Sequence, residues 1–487
     1  AGKQVSFVAD GAIGAAGKPV ILNSAGTVTP VGESTGSESL GSPVVASTST
    51  TVYGKAAVYD AASGKMVLVY SDNSSGTLAV VGTISGTVIS WGTPVNVSGS
   101  ITPDDDPKIC YDPDTEQVII AYAVQSSQTY VVTGKVSGTT ISAGTPVAID
   151  STANARAFTV AYNVADSKGL VIYGFPYEGS NGGRAKVITV SGTAISLGAV
   201  NNWNTGSGSG LAFFHACYDS NTEKIVLARK QTNGDAAVFT ISGTTVSAGS
   251  FTQYSTGSVT NTSITYDAVS QKVVTASRES GSPYGTASVG TVSGTSISFG
   301  TPVTFESGAI TAASVGCAYG GTAAGAVTNI TFSPTSDNYM RYINGTVSGT
   351  SISFNTAARA YSDNATSSSG FIGTATSGKV LLIIVPSSTV GGLTDNYVYG
   401  AVLQNVATTT NLTATNFIGI SDAAILDTAS GNVTIKGGIA VNGLSSLTPG
   451  SDYYVQADGT ISTVSTGSAV KIGRAMSATS INLEYQS

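Results

Sequence analysis

Charge is scarce in this chain. Only 10% of its 487 residues are charged, against the usual ~25%. Its 21 Lys+Arg and 28 Asp+Glu leave a formal net charge of −7, with no basic cluster, which argues against a nucleic-acid partner. No apolar run reaches the ~18 residues of a membrane span, so no membrane insertion is expected. The first residues, AGKQVSFVAD, lack a charged segment followed by an apolar stretch, and no secretory leader is expected. Three Cys cannot build a disulfide framework, and the one His, His215, rules out a histidine-rich metal site. No helical pattern of useful length and no cofactor motif is present, so no cofactor is expected.

Glycine, by contrast, is abundant: 59 residues, about 12% against a typical ~7%. With 41% hydrophobic residues and 22 Tyr, the chain can form a core and is not disordered. A phrase close to V-S-G-T-x-I-S-x-G-T-P-V recurs at Thr83–Val95, Lys135–Val147, Thr189–Val200, Thr240–Ser250, Thr291–Val303 and Thr346–Thr356. Its glycines, Gly86, Gly138, Gly192, Gly243, Gly294 and Gly349, are spaced by 52, 54, 51, 51 and 55 residues. A degraded seventh copy follows at Tyr399–Ala414.

A Tyr-Asp landmark precedes most copies, as in VYDAASGK (Val58–Lys65) and CYDPDTEQ (Cys110–Gln117). It places a turn between two apolar segments and signals a hairpin. An apolar run follows, such as VIIAY (Val118–Tyr122) or VLLIIV (Val380–Val385), which reads as a strand covered on both faces. Each unit is therefore four strands: A small and glycine-rich, B apolar, C alternating, D after the Ser-Gly-Thr turn. One such sheet cannot bury both its faces, but sheets packed side by side can. The expected fold is all-β: a seven-bladed β-propeller over 46–410, inserted in a small β domain formed by 1–45 and 411–487. An open β-solenoid is the competing architecture. The seventh copy reads as holding its own four strands, with no strand exchange closing the ring and the paired flanks serving as a clasp.

The flanks carry a resemblance. LTPGSDYYVQADGTIST (Leu447–Thr463), VKIGRAMSAT (Val470–Thr479), NFIGISDAAI (Asn416–Ile425) and KPVILNSAGTVTPV (Lys18–Val31) resemble a small β domain of tailed-bacteriophage virion proteins of the tail-fibre, head-fibre or capsid-decoration type. The Ser-Gly-Thr repeats are similar to those of marine phage structural proteins. The resemblance implies a virion structural protein, with capsid, neck or tail proteins as partners, a homo-oligomeric state in the particle and no catalytic motif. The propeller would then project for host attachment, with host-surface polysaccharide as a further partner. Two alternatives are a propeller glycosidase or depolymerase and an extracellular lectin-like adhesin.

Candidate sites are few. Asp60, Asp112, Asp219 and Asp267 each open an A–B turn, where Asp bonds its own backbone. Asp104, Asp105 and Asp106 are the densest acidic cluster and a weak candidate metal site, since Ca²⁺ takes several oxygens; an exposed acidic loop is the favoured reading. Cys110, Cys217 and Cys317 fall in strands A of non-adjacent copies and read as free buried thiols. His215, also in a strand A, reads as structural. Glu178, Glu279 and Glu306 fall in variable loops without the facing pair that glycoside hydrolysis requires. Trp203, Tyr177, Tyr254 and Tyr284 are candidates for stacking on sugars, with Trp203 the foremost; Trp91 occupies a strand-D packing position.

Overall fold

The computed structural model describes residues 3–35, 38–99, 103, 106–124, 128–150, 157–175, 182–204, 211–231, 233–280, 285–311, 314–321, 327–337, 339–360, 371–374, 378–386, 393–405, 408–413, 415–465 and 469–484. Among these there are strands and turns and no helix. The chain divides into two compact units, residues 38–405 and residues 1–37 with 406–487.

In the larger unit each repeat forms one antiparallel sheet in simple up-and-down order. The second repeat runs Lys108–Asp112, Gln117–Ala123, Thr129–Ser137, Thr140–Ala143, from A to D. Strand B is buried along its whole length, as a run of Val, Ile and Ala with a sheet on either side must be. Strand D buries one residue between exposed neighbours: Ile141 is buried and Thr140 and Ser142 are exposed. The C–D turn has two central residues, and its leading glycine has φ near +61° in Gly86, Gly138 and Gly349, the conformation a II′ hairpin turn reserves for glycine.

Neighbouring sheets pack face to face. Val67, Val69 and Val81 of the first sheet share a core with Val118, Ile120 and Val132 of the second. Each such side chain contributes about 1.5–3 kcal/mol by leaving water, so a handful outweighs exposed pairs like Lys135–Glu116 at 3.0 Å, worth ~0–1 kcal/mol. The strands A, Val52–Asp60, Lys108–Asp112, Ala157–Asn163, Ala212–Asp219, the second half of Thr252–Asp267, Gly316–Tyr319 and Phe371–Thr374, each touch the next, and the last touches the first. This is a β-propeller arrangement, closed upon itself.

The closure differs from the sequence reading. Among the described residues the last sheet has three strands of its own, Phe371–Thr374, Lys379–Ile384 and Val398–Gln404; its outer edge is Ser39–Leu40 and Val44–Ser47, from the start of the unit. The exchanged strand is pinned further by Glu38, which accepts hydrogen bonds from the Tyr342 hydroxyl at 2.7 Å and from Asn344 Nδ2. A strand drawn from the opposite end of the chain makes the ring's closure a long-range sheet pairing instead of a surface contact.

A second feature recurs between sheets. The glycine that breaks strand D donates its N–H to strand C, as Gly92 does to Val81 O at 2.8 Å and Gly41 to Val402 O at 2.9 Å. Its missing side chain leaves room for the carbonyl of the threonine in the next sheet's C–D turn: Gly41 faces Thr87, Gly92 faces Thr139, Gly249 faces Thr295 and Gly300 faces Thr350. Asn355 stands at this position in the sixth repeat. The sheet that follows it has no C–D hairpin, because its strand D is the exchanged one, so no carbonyl demands a glycine there.

In the smaller unit both termini interleave. Gln4–Val8, Ser430–Ile435, Phe417–Ser421, Pro19–Leu22 and Val28–Pro30 form one five-stranded sheet in that order, over a core including Val20, Val28, Ile425 and Val433. Ile439–Ala440, Ser480–Leu483, Val470–Ser477, Asp452–Val455 and Ile461–Ser462 form another. Its Val455, Ile472 and Ile481 share a core with Phe417.

Gly92→Ala is expected to destabilise the larger unit by about 1–3 kcal/mol, the usual range for overpacking, whereas Asn355→Gly changes it by less than ~1 kcal/mol. Chemical denaturation of the two variants checks this; equal losses would mean that the turn carbonyl is not the constraint.

Candidate functional site

The Tyr-Asp landmarks sit at one end of the strands A. Each Asp carboxylate caps its own turn: Asp60 Oδ1 accepts from the N–H groups of Ala62 and Ser63 at 3.1 and 3.2 Å, and Asp112 Oδ1 from Asp114 and Thr115 at 3.0 and 3.2 Å. Asp219 and Asp267 repeat the pattern. The tyrosines reach the turn of the preceding sheet. Tyr111 Oη accepts from Ala62 N–H at 3.1 Å, and Tyr162 Oη donates to Asp114 Oδ2 at 2.6 Å. The landmark is a pin between sheets, not a ring of free carboxylates.

At the hub the strands A enclose a cavity of about 270 Å³, whose polar lining includes Lys108, Thr159, His215, Ser263, Thr265 and the thiols Cys217 and Cys317. Among the described residues, no aspartate or glutamate lines it. His215 arrives there through a β-bulge: the register shifts between Ala212 and His215, and Phe213 takes a φ of 53°, left-handed backbone that a bulky residue rarely adopts. Bulges re-aim side chains in this way. Burial, reinforced by the Lys108 ammonium, holds the imidazole well below its ordinary pKa, so it is neutral and offers one donor and one acceptor nitrogen. Ser263 Oγ accepts from Cys317 N–H at 3.1 Å and Thr265 Oγ1 from Tyr319 N–H at 3.0 Å, and the Ser263 hydroxyl also lies against the Cys317 thiol. Thr159, Ser263 and Thr265 were not singled out from the sequence, nor was Lys108; they emerge only when the copies are aligned on the landmark.

The sequence candidates fall elsewhere. Trp203 packs against Phe214, Phe239 and Phe251 with centroids 5.8, 6.0 and 5.4 Å away, over the bare backbone of Gly183. It is a packing residue and not the surface platform expected from NNWNTGSGSG. Tyr254 is only 3% exposed; it lies over Gly234 and donates to Thr262 Oγ1 at 2.7 Å. Phe305 covers Gly285 at the same place one repeat on. Trp91 is half-buried, donating from Nε1 to Val44 O at 3.2 Å. Glu279 and Glu306 end strands instead of lying in loops. Glu279 is buried and accepts from Ser255 at 2.8 Å and Thr286 at 3.0 Å, while Glu306 caps Gly308 N–H at 2.7 Å. Asp106 is half-buried and opposes the burial that lowers the Lys55 pKa to about 8. Asp104, Asp105, Tyr177, Glu178 and Tyr284 lie outside the described residues. Among the described residues, no three His, Cys, Asp or Glu side chains come together as a metal site.

No family model matches the sequence, and no curated protein matches it. Among solved structures, BP39L lectin from Burkholderia pseudomallei is similar at a TM-score of 0.53 and 10% identity, over 74% of this chain and 99% of that chain. At that identity the likeness is one of fold. NanB sialidase from Streptococcus pneumoniae aligns at 8% identity over 74% of this chain and 69% of that one, with a TM-score of 0.46, too loose to carry an argument.

Two outcomes follow from the buried groups. Burial pushes the Cys317 thiol up to about 12, whereas Cys110 and Cys217, expected from the sequence to be buried, are half-buried; a thiol reagent at pH 8 is therefore expected to spare Cys317 until denaturation, and rapid native labelling of Cys317 would contradict this. Folded Lys55 loses its proton near pH 8 and unfolded Lys55 near 10.5. Between those values the unfolded chain binds more protons, so stability rises with pH. Lys55→Met is expected to flatten that rise, read from denaturation midpoints at pH 7.5, 9 and 10.5.

Proposed function

We propose that this protein is a seven-bladed β-propeller that binds glycans as a lectin-like adhesin, without cleaving them. The observation that carries the reading is the repeated outer rim. In the six sheets that have a C–D hairpin, the third residue of strand D is an exposed serine, namely Ser90, Ser142, Ser196, Ser247, Ser298 and Ser353. In five of the six sheets it stands opposite a strand-C threonine: Thr83, Thr189, Thr240, Thr291 or Thr346. The group the rim repeats in exposed form is the serine: Thr240 and Thr291 bury their hydroxyls, and Thr83 Oγ1 accepts from Lys65 Nζ at 2.8 Å. Exposed serine hydroxyls exchange hydrogen bonds with sugar hydroxyls weakly, and repetition multiplies weak sites into avidity. The likeness in fold to a lectin agrees with this. Cleavage by the common route needs two carboxylates, and the described residues of the hub lining supply neither.

A second reading sets the propeller on a bacteriophage particle, bound through the smaller unit. It is favoured by one observation, the wording of Leu447–Thr463 and Val470–Thr479. The two readings differ in location and agree on what the blades do; electron microscopy of particles with the chain labelled separates them.

Glycan arrays test the main reading. Binding to densely immobilised polysaccharide is expected to exceed binding to free monosaccharide by ~10²–10⁴, and Ser196→Asp with Ser247→Asp to weaken it. Absence of binding to every glycan at high density would overturn the reading.

A further inference from the structure

The copies are most alike at the rim and least alike at the hub. Counting back four residues from the landmark Asp, or from Asn163 and Gly320 in its place, gives Ala56, Lys108, Thr159, His215, Ser263 and Gly316. The tyrosine three residues later is the same in all six copies. All six of these differing residues line the hub cavity. Ser263 also bonds the next sheet, accepting from Cys317 N–H at 3.1 Å, a contact that alanine or glycine at this level does not make. Strand geometry puts these positions at one level of the hub, where a single ligand touches several sheets at once.

Among the described lining residues, that level combines an ammonium, a neutral imidazole and hydroxyls, with no carboxylate. Thr159 and Ser263 are 4% and 6% exposed, so their hydroxyls are withdrawn from bulk water, where hydrogen bonds to charge are strongest. The cavity, at about 270 Å³, far exceeds the ~10–15 Å³ needed for one water. The bulge at Phe213 places the imidazole there at the expense of a rare backbone conformation, the kind of local strain found where a side chain must be aimed.

We propose that the hub cavity binds one small oxyanion, held by Lys108 with hydrogen bonds from Thr159, His215 and Ser263. Free inorganic anions and the carboxylate of an acidic sugar share this chemistry. The proposal does not rest on glycan binding by the rim, which uses other residues.

Calorimetric titration of the full chain with inorganic phosphate, glucuronate and glucose tests it. Saturable binding of phosphate or glucuronate is expected, with none for glucose, and Lys108→Met is expected to weaken it at least tenfold. Phosphate binding identifies a free oxyanion; glucuronate binding alone identifies the sugar acid. If Lys108→Met does not fold, Thr159→Val takes its place and is expected to weaken the same titration. A bromide soak of wild-type crystals is expected to give an anomalous peak in the cavity. No saturable anion binding, affinity unchanged in the folded variant, or a cavity without bromide would each overturn the proposal. Rim binding on a glycan array is expected to survive Lys108→Met, so the two readings fail separately.

Discussion

The larger unit depends on how closely one sheet can approach the next. Each strand D must come near enough for its neighbour's C–D turn to rest against it, and a turn carbonyl allows no Cβ at the point of contact. Gly41, Gly92, Gly249 and Gly300 meet this demand. The approach then lets the faces of strands B and C bury Val, Ile and Leu on both sides, where most of the free energy lies. The Tyr-Asp pins act at the inner edge of each sheet, where the tyrosine hydroxyl reaches the preceding turn. Glycine contact and tyrosine pin together fix the spacing at two points, and the apolar faces fill what lies between.

Much of this was legible in the residues. The repeat spacing, the turn glycines, the buried runs and the capping aspartates are local patterns, and local hydrogen bonding and periodicity determine them. The closing strand was also written in the sequence, in a form that the spacing concealed. Leu40-Gly41-Ser42-Pro43-Val44 is a version of the x-G-T-P-V phrase, standing alone with no Ser-Gly-Thr before it. A strand D without its hairpin at one end of the chain, and a copy without a clear strand D at the other, describe one exchanged strand. Asn355 carries the same information: glycine is lost at the one contact where no turn follows.

The aromatic candidates misled for a physical reason. Trp203 and Tyr254 sit among Asn, Gly and Ser, which suggests a solvent-facing loop. Their spacing says otherwise. Trp203, Tyr254 and Phe305 recur at intervals of 51 residues, as do Gly183, Gly234 and Gly285, and each ring covers the glycine of its own sheet. An aromatic side chain laid over a strand glycine is a packing device. Of the polar neighbours, Asn202 and Gln253 are exposed while Ser255 is buried against Glu279, so their polarity says nothing of where the ring points.

Rim and hub therefore place opposite demands on the same repeated unit. At the rim every sheet meets solvent in the same way, so identical residues serve in each copy, and a surface built from them can act only through number. At the hub the sheets converge on one volume, and identical residues there would crowd like against like. Six lysines at the level of Lys108 would repel one another with little water to screen them; six alanines would leave an apolar hole. One lysine, one imidazole and two hydroxyls distributed over four sheets avoid both. The asymmetry at the hub is thus a property that no single repeat possesses and that only the closed ring creates, which is why the exchanged strand matters to the site as well as to the fold. Without it the last strand A has no fixed place against the first, and the cavity has no constant shape.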